Sequence, residues 1–233
     1  MIGGTFLLTC HDAISKWMTG SYSVGEVMFY RSAFPVFLLG AILLRDDGVR
    51  SLLPKFPVAN FTRAGLAAVT SCLVVASYAV LPLADALAII FASPIFLTAL
   101  SVPLLREQVG WRRWAAVLVG FLGVVIMVDP AGDVFRFGAL IAVGAALASA
   151  LRDVVTRRLG TGDSTTNILF YTTIATGLFG LTTVPFLNHG VPSWADCGLF
   201  FIAGLLVTAA HWLIIKSFQL AQASAVAPLR HLA

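Results

Sequence analysis

Apolar residues fall in long runs, separated at regular intervals by short polar stretches. The runs predict helices at roughly 2–19, 24–44, 64–83, 86–105, 112–128, 136–157, 164–186 and 196–216. A last apolar run goes from about Ser217 to Ala233. Most of the eight have about the 20 residues an α-helix needs to cross the hydrocarbon core of a bilayer. Pro94 lies inside the fourth and should kink it, freeing a backbone carbonyl. Gly120 and Gly123 in the fifth should let a neighbouring helix approach closely. The last run holds Pro228, Arg230 and His231 and is too short to span once a turn is subtracted.

Composition makes lipid the solvent. Apolar residues make up 59% of the 233, charged residues 11%, and the mean hydropathy is +0.93. A soluble domain carries about 25% charged residues. The fold class expected is therefore an all-α polytopic membrane protein. The net charge of +4 comes without a basic run, which argues against nucleic acid as a partner. Cys10, Cys72 and Cys197 are odd in number and give no disulfide framework or CxxC pair. His11, His211 and His231 form no HExxH or Cys/His ligand pattern, so neither metal nor cofactor is expected, and these histidines are read as packing or pore-lining residues. No phosphate loop or GxSxG element is present, so the chain is not read as an enzyme or an ATP-driven pump. Asp12 and Lys16 interrupt the first apolar run, which reads as a retained helix rather than a signal peptide.

The polar residues inside the runs carry the candidate chemistry. A charge at mid-bilayer costs about 2.5–3.5 kcal/mol on insertion scales and marks a functional position by default. Thr5, Thr9, Asp12 and Lys16 share one helical face, as do Ser149, Arg152, Asp153 and Thr156. Sliding the chain by 141 residues puts Asp12 on Asp153, Lys16 on Arg157, Glu26 on Asn167, and Phe29-Tyr30 on Phe170-Tyr171. Asp12–Lys16 and Asp153–Arg157 are spaced i,i+4. They are either structural ion pairs or charges lining a cavity. Arg31 lies deep in its helix and is expected to face the cavity or a first-helix carboxylate, whereas Glu26 lies near a helix end. Tyr78, Trp212 and Arg230 are candidate pocket residues, and Ser93-Pro94 a candidate stretch of exposed backbone. The expected substrate-binding set is Asp12, Lys16, Arg31, Tyr78, Ser93, Asp153, Arg157, Trp212 and Arg230.

Leu83–Ala88 also resembles Leu220–Ala225, at an offset of 137. Two repeats follow, 1–130 with five helices and 131–233 with three and the start of a fourth. With five helices each, the second repeat would be inverted in the membrane, an arrangement typical of secondary transporters with a midplane substrate site. Lys and Arg concentrate at 45–63, 106–113, 157–163 and Lys216, which puts the N-terminus in the cytoplasm. The count suggests a fragment or truncated relative of a ten-helix protein. If a genuine stop follows Ala233, homodimerisation would have to supply the missing wall.

With these features in hand, the chain resembles the drug/metabolite transporter superfamily, EamA type. Arg106-Glu107, Gly110-Trp111, Gly120-Phe121-Leu122-Gly123-Val124-Val125 and the two halves carry the resemblance. It is most similar to the bacterial group that includes S-adenosylmethionine uptake carriers. That group shows Asp-x-x-Ser-Lys-aromatic, matched by Asp12, Ser15, Lys16 and Trp17, and Glu-Val-x-Phe-aromatic-Arg, matched by Glu26 to Arg31. Its Ala-Pro-Tyr-Arg-Tyr-Leu-Glu stretch reads Ala227-Pro228-Leu229-Arg230-His231-Leu232-Ala233 here. The resemblance implies a gradient-linked carrier or exchanger of a small polar metabolite in the bacterial inner membrane, in contact with lipid. A non-transporting protein with a regulatory or assembly role is the alternative.

Overall fold

The computed structural model describes residues 2–106, 110–127, 133–159, 163–183 and 192–220. Among these there are helices and no strands: α1 (Ile2–Met18), α2 (Val24–Asp47), a 3-10 turn (Gly48–Leu52), α3 (Pro57–Val80), α4 (Leu83–Ile90), α5 (Ser93–Leu105), α6 (Trp111–Met127), α7 (Asp133–Leu159), α8 (Thr165–Thr183) and α9 (Trp194–Leu220). Among the described residues, five segments are long and apolar enough to cross a membrane: Val24–Arg45, Pro57–Val80, Leu83–Leu105, Phe137–Arg157 and Trp194–Ser217. The outward faces are apolar. Trp17, Phe37, Val58, Trp111 and Trp194 are each more than three-quarters exposed, as suits side chains that meet lipid and its interface. The chain is a polytopic helical membrane protein.

Local chemistry explains the boundaries, including those the apolar runs misplace. The span expected at 86–105 is two helices, α4 and α5. Pro94 has no N–H for the Ile90 carbonyl, so the helix breaks at Phe91-Ala92 and restarts with Pro94 in its first turn. α3 begins at Pro57, seven residues before the expected start at 64, because the fixed φ of proline suits the first helical position. Arg63, assigned above to a loop, is therefore inside a helix. α2 starts with a capping box: Ser23 Oγ accepts from the Glu26 N–H at 3.3 Å, and Glu26 returns a bond to the Ser23 N–H at 2.9 Å. Likewise Lys216 sits within α9, which continues to Leu220, and not in a turn.

α2 packs on α8, α1 on α9, and α3 on α7 and α8. Small residues let these backbones meet. Ala139, Ala142, Ala145, Ala146 and Ala150 of α7 are fully buried, and the first three join Tyr78, Leu81, Ile89 and Ile90 in one core cluster. A Cβ on Gly180 of α8 would lie 2.7 Å from the Gly25 carbonyl oxygen and 2.9 Å from the Phe29 nitrogen of α2. A Cβ on Gly204 of α9 would collide with the Arg31 carbonyl oxygen. That carbonyl receives no helical bond, since the residue four places on is Pro35. The Gly120 position in α6 similarly abuts the Ile95 side chain, whereas nothing lies within 4 Å of the Gly123 position.

Valine at 180 or 204 should therefore lower the thermal midpoint of the detergent-purified protein by several degrees, with an overpacking cost of about 1–3 kcal/mol. Gly198→Ala, whose Cβ would meet nothing within 4 Å, should leave the midpoint unchanged or slightly raised. A thermal-denaturation series on the three variants checks both outcomes.

Candidate functional site

A cavity of about 970 Å³, a figure that includes the space at its mouth, opens among α1, α2, α3, α4, α7, α8 and α9. Its polar lining comes from His11 and Asp12 of α1, Arg31 and Ser32 of α2, Arg63, Thr70, Ser71 and Tyr78 of α3, Ser149 and Arg152 of α7, Thr172, Thr173 and Thr176 of α8, and Thr208 and His211 of α9. Leu8, Val74, Leu87, Ile90, Phe91 and Val207 are among its apolar walls. An apolar surface with a few convergent polar groups is the usual form of a small-molecule site.

One hydrogen-bonded chain ties three helices across the cavity. Asp12 Oδ1 accepts from His11 Nδ1 at 3.1 Å, so the imidazole proton is on Nδ1. That leaves Nε2 to accept from Arg31 Nη1 at 2.6 Å, with Ser15 Oγ 3.0 Å from the same nitrogen. Arg31 Nη2 donates to Ser71 Oγ. His11 thus sits between a carboxylate and a guanidinium, and transmits the attraction between them. All three side chains are buried. The first-helix carboxylate expected for Arg31 is present, reached through an intervening imidazole.

A second polar group forms around α3 and α7. Arg63, 2% exposed, donates through Nε to Thr156 Oγ1 at 2.8 Å and through Nη1 to Thr172 Oγ1. Arg152 donates from Nε and Nη2 to Asp153 Oδ1 at 3.0 and 2.8 Å, and from Nη2 to Ser149 Oγ at 3.0 Å. His211 Nδ1 donates to the Val207 carbonyl at 2.9 Å. Among the described residues, no group of three or more His, Cys, Asp or Glu side chains could hold a metal.

The expected site residues divide by position. Asp12, Arg31 and Tyr78 line the cavity together. Lys16 does not pair with Asp12. Its Nζ reaches the Tyr78 and Leu81 carbonyls, the latter at 2.9 Å, where it closes the end of α3 ahead of Pro82. Asp153 is buried behind the wall as the partner of Arg152, and Arg157 is half-buried one turn further along α7. Ser93 is buried at the start of α5 and outside the cavity lining. Trp212 is 42% exposed on the outer face of α9. Arg230 lies outside the described residues. Arg63, Arg152 and the Thr172–Thr176 wall were absent from the expected set. The i,i+3/i+4 series Asn60, Arg63, Ala67, Ser71, Val74, Tyr78 would have shown that Arg63 belongs to one helical face.

A further polar cluster joins the start of α3 to the start of α8. Asp163 Oδ1 accepts the Lys55 N–H at 2.6 Å, and its Oδ2 accepts from Asn60 Nδ2 at 3.3 Å. Asn60 Nδ2 also donates to Asn167 Oδ1 at 2.9 Å, while Asn167 Nδ2 and the Tyr171 hydroxyl both donate to the Leu52 carbonyl, at 3.1 and 2.8 Å. Asn60, Asp163 and Asn167 are all buried.

Comparison with known proteins agrees with this architecture. The sequence profile of the EamA-like transporter family matches residues 1–129. An S-adenosylmethionine uptake transporter of Rickettsia bellii is 28% identical over 98% of this chain and 80% of its own length. A riboflavin transporter of Rhizobium johnstonii is 30% identical over 93% of this chain and 72% of its own. A pseudopaline exporter of Pseudomonas aeruginosa is 25% identical over 98% of this chain and 80% of its own.

The chain of buried charge makes a thermodynamic prediction. Asp12→Leu and Arg31→Met should each cost about 3–5 kcal/mol, because each leaves a buried charge without its partner. The double variant should recover at least about 1 kcal/mol relative to the sum of the two losses. Denaturation midpoints of the four proteins provide the cycle, and strictly additive losses would show that His11 does not couple the two charges.

Proposed function

The chain belongs to the EamA-like transporter family, and from that premise we propose that it is a secondary carrier that moves a small polar organic metabolite by alternating access. It is a multi-pass membrane transporter of small metabolites and not an enzyme. Alternating access around a polar solute is supported by the cavity, where buried Asp12, Arg31, Arg63 and Arg152 converge from four helices. Charges kept inside a membrane protein at such cost mark substrate or ion paths.

The two repeats, 1–130 and 131–233, are supported by the packing. Exchanging α1, α2 and α3 for α7, α8 and α9 maps the α1–α9 contact onto α7–α3 and the α2–α8 contact onto itself. The helix starts agree as well. Ser23 caps the Glu26 N–H at 3.3 Å, and 141 residues later Ser164 caps the Asn167 N–H at 3.1 Å. Rocking one repeat against the other would part the contacts at one end of the cavity and then at the other. Asp163 with Asn60 and Asn167 closes one end, and the 2.8 Å bond from the Tyr22 hydroxyl to Asp196 joins the α1–α2 connection to the start of α9. The membrane is the bacterial inner membrane and the N-terminus cytoplasmic. Arg45, Arg50, Lys55 and Arg106 still mark one side after Arg63 and Lys216 are reassigned to helices.

Two measurements test this reading. In proteoliposomes loaded with an unlabelled metabolite pool, exchange should exceed that of empty vesicles for at least one solute in a panel that includes S-adenosylmethionine and riboflavin. Arg31→Gln should lower that flux at least about tenfold, the factor for losing one charge-assisted bond. No solute-dependent flux across the panel sinks the carrier. Orientation is read by a membrane-impermeant thiol reagent. It should label exposed Cys197 in intact spheroplasts, and Leu53→Cys in a Cys197→Ser background only after permeabilisation. The reverse pattern inverts the topology.

A further inference from the structure

The cavity lining carries three guanidiniums and one carboxylate, Asp12. Even with Asp153 counted behind Arg152, cations outnumber anions three to two. The excess falls mainly on Arg63. Among the described residues it pairs with no carboxylate, and its two hydrogen-bond acceptors are neutral hydroxyls. A guanidinium has five N–H donors, so three remain without a partner there. Arg152 likewise spends Nε and Nη2, leaving the Nη1 amino group. The two arginines, from α3 and α7, are joined through Thr156, which accepts from Arg63 Nε at 2.8 Å and donates to the Arg152 carbonyl at 2.7 Å, and both side chains line the cavity.

The remaining wall does not compete for an anion. The hydroxyls of Ser32, Thr70, Thr172, Thr173, Thr176 and Thr208 each donate to the carbonyl four residues earlier in their own helix, at 2.7–2.8 Å. Their protons are engaged with the backbone, and the Thr172 oxygen accepts from Arg63. The N–H donors left over for a ligand therefore come from arginine. A bidentate carboxylate or phosphate matches the planar fork of arginine and makes charge-assisted bonds to it.

We propose that the cavity takes an organic anion, whose carboxylate or phosphate group seats between Arg63 and Arg152. This rests on the carrier reading above only for the statement that the ligand is also the cargo. The apolar walls at Val74, Leu87, Ile90 and Phe91 would receive the remainder of the molecule. A cation of similar size would meet the same excess of positive charge and be rejected.

Matched pairs that differ in one anionic group test the assignment. The full chain, purified in detergent, is titrated with nicotinate against nicotinamide and with adenosine monophosphate against adenosine, following the thermal midpoint. At least one anion should raise the midpoint by several degrees while its neutral partner does not. The pair that responds tells carboxylate from phosphate. Arg63→Gln should weaken that binding by at least about tenfold, as expected for a lost charge-assisted bond. Should Arg63→Gln not fold, wild-type titrations in rising sodium chloride serve instead, and the anion's affinity should fall with salt. Equal shifts from the neutral partners, or no shift from either anion, overturn the proposal. Anion binding without vesicle flux would sink the carrier alone. Flux of a neutral or cationic solute that neither anion inhibits would sink the anion assignment alone.

Discussion

Three arginines buried in the middle of a helical membrane protein constrain nearly everything around them. A guanidinium cannot be neutralised cheaply, so each must be met by acceptors inside the bundle. Arg31 is met by His11 and Ser71, Arg63 by Thr156 and Thr172, and Arg152 by Asp153 and Ser149. Those partners come from α1, α3, α7 and α8. Satisfying the charges therefore fixes how these helices sit together and leaves a polar cavity between them. The small-residue contacts at Gly180, Gly204 and the α7 alanines permit the close approach that these short-reaching bonds require.

Within that frame the two ends of the bundle are closed by different chemistry. At the start of α3 and α8 the closure is a knot of amides and one carboxylate on backbone groups of the 3-10 turn and its sequel. At the other end it is aromatic, with Tyr22 and Tyr30 both about 5.2 Å from Phe200 by ring centroid, and a single phenol–carboxylate bond. Lys16 reinforces the second end by holding the last carbonyls of α3 to α1. These two helices are thus joined by a charge-assisted bond as well as by packing.

Most of the helix count was legible in the chain, because twenty-residue apolar runs have one stable form in lipid. The face of α1 that carries Asp12 was legible for the same periodic reason. The errors have physical causes. The apolar runs put Arg63 in a loop because a charge next to several others resembles a cytoplasmic flank, yet Pro57 and the spacing from Asn60 to Tyr78 mark a helix. Lys16 was read against Asp12 because i,i+4 spacing allows a pair. It preferred two carbonyls orphaned by the end of α3, which no spacing within α1 reveals. Glu26 near its helix end has a simple reason, since Ser23 three residues before it forms the pattern of a capping box. Trp212, a candidate pocket residue, lies on the outer face of α9, because its place within an apolar run does not tell which face looks outwards.

The hydroxyl wall has a consequence of its own. Each threonine of this wall donates to the carbonyl one turn back in its own helix, so the hydroxyl supplements the helical bonding and the helix does not depend on it. The lining of α8 is therefore a row of polar groups spaced along one face of a helix that would form without them. Such hydroxyls can be exchanged for other small groups with the scaffold and the arginines left as they are. The polarity along this face can thus change by single substitutions while the fold stays the same.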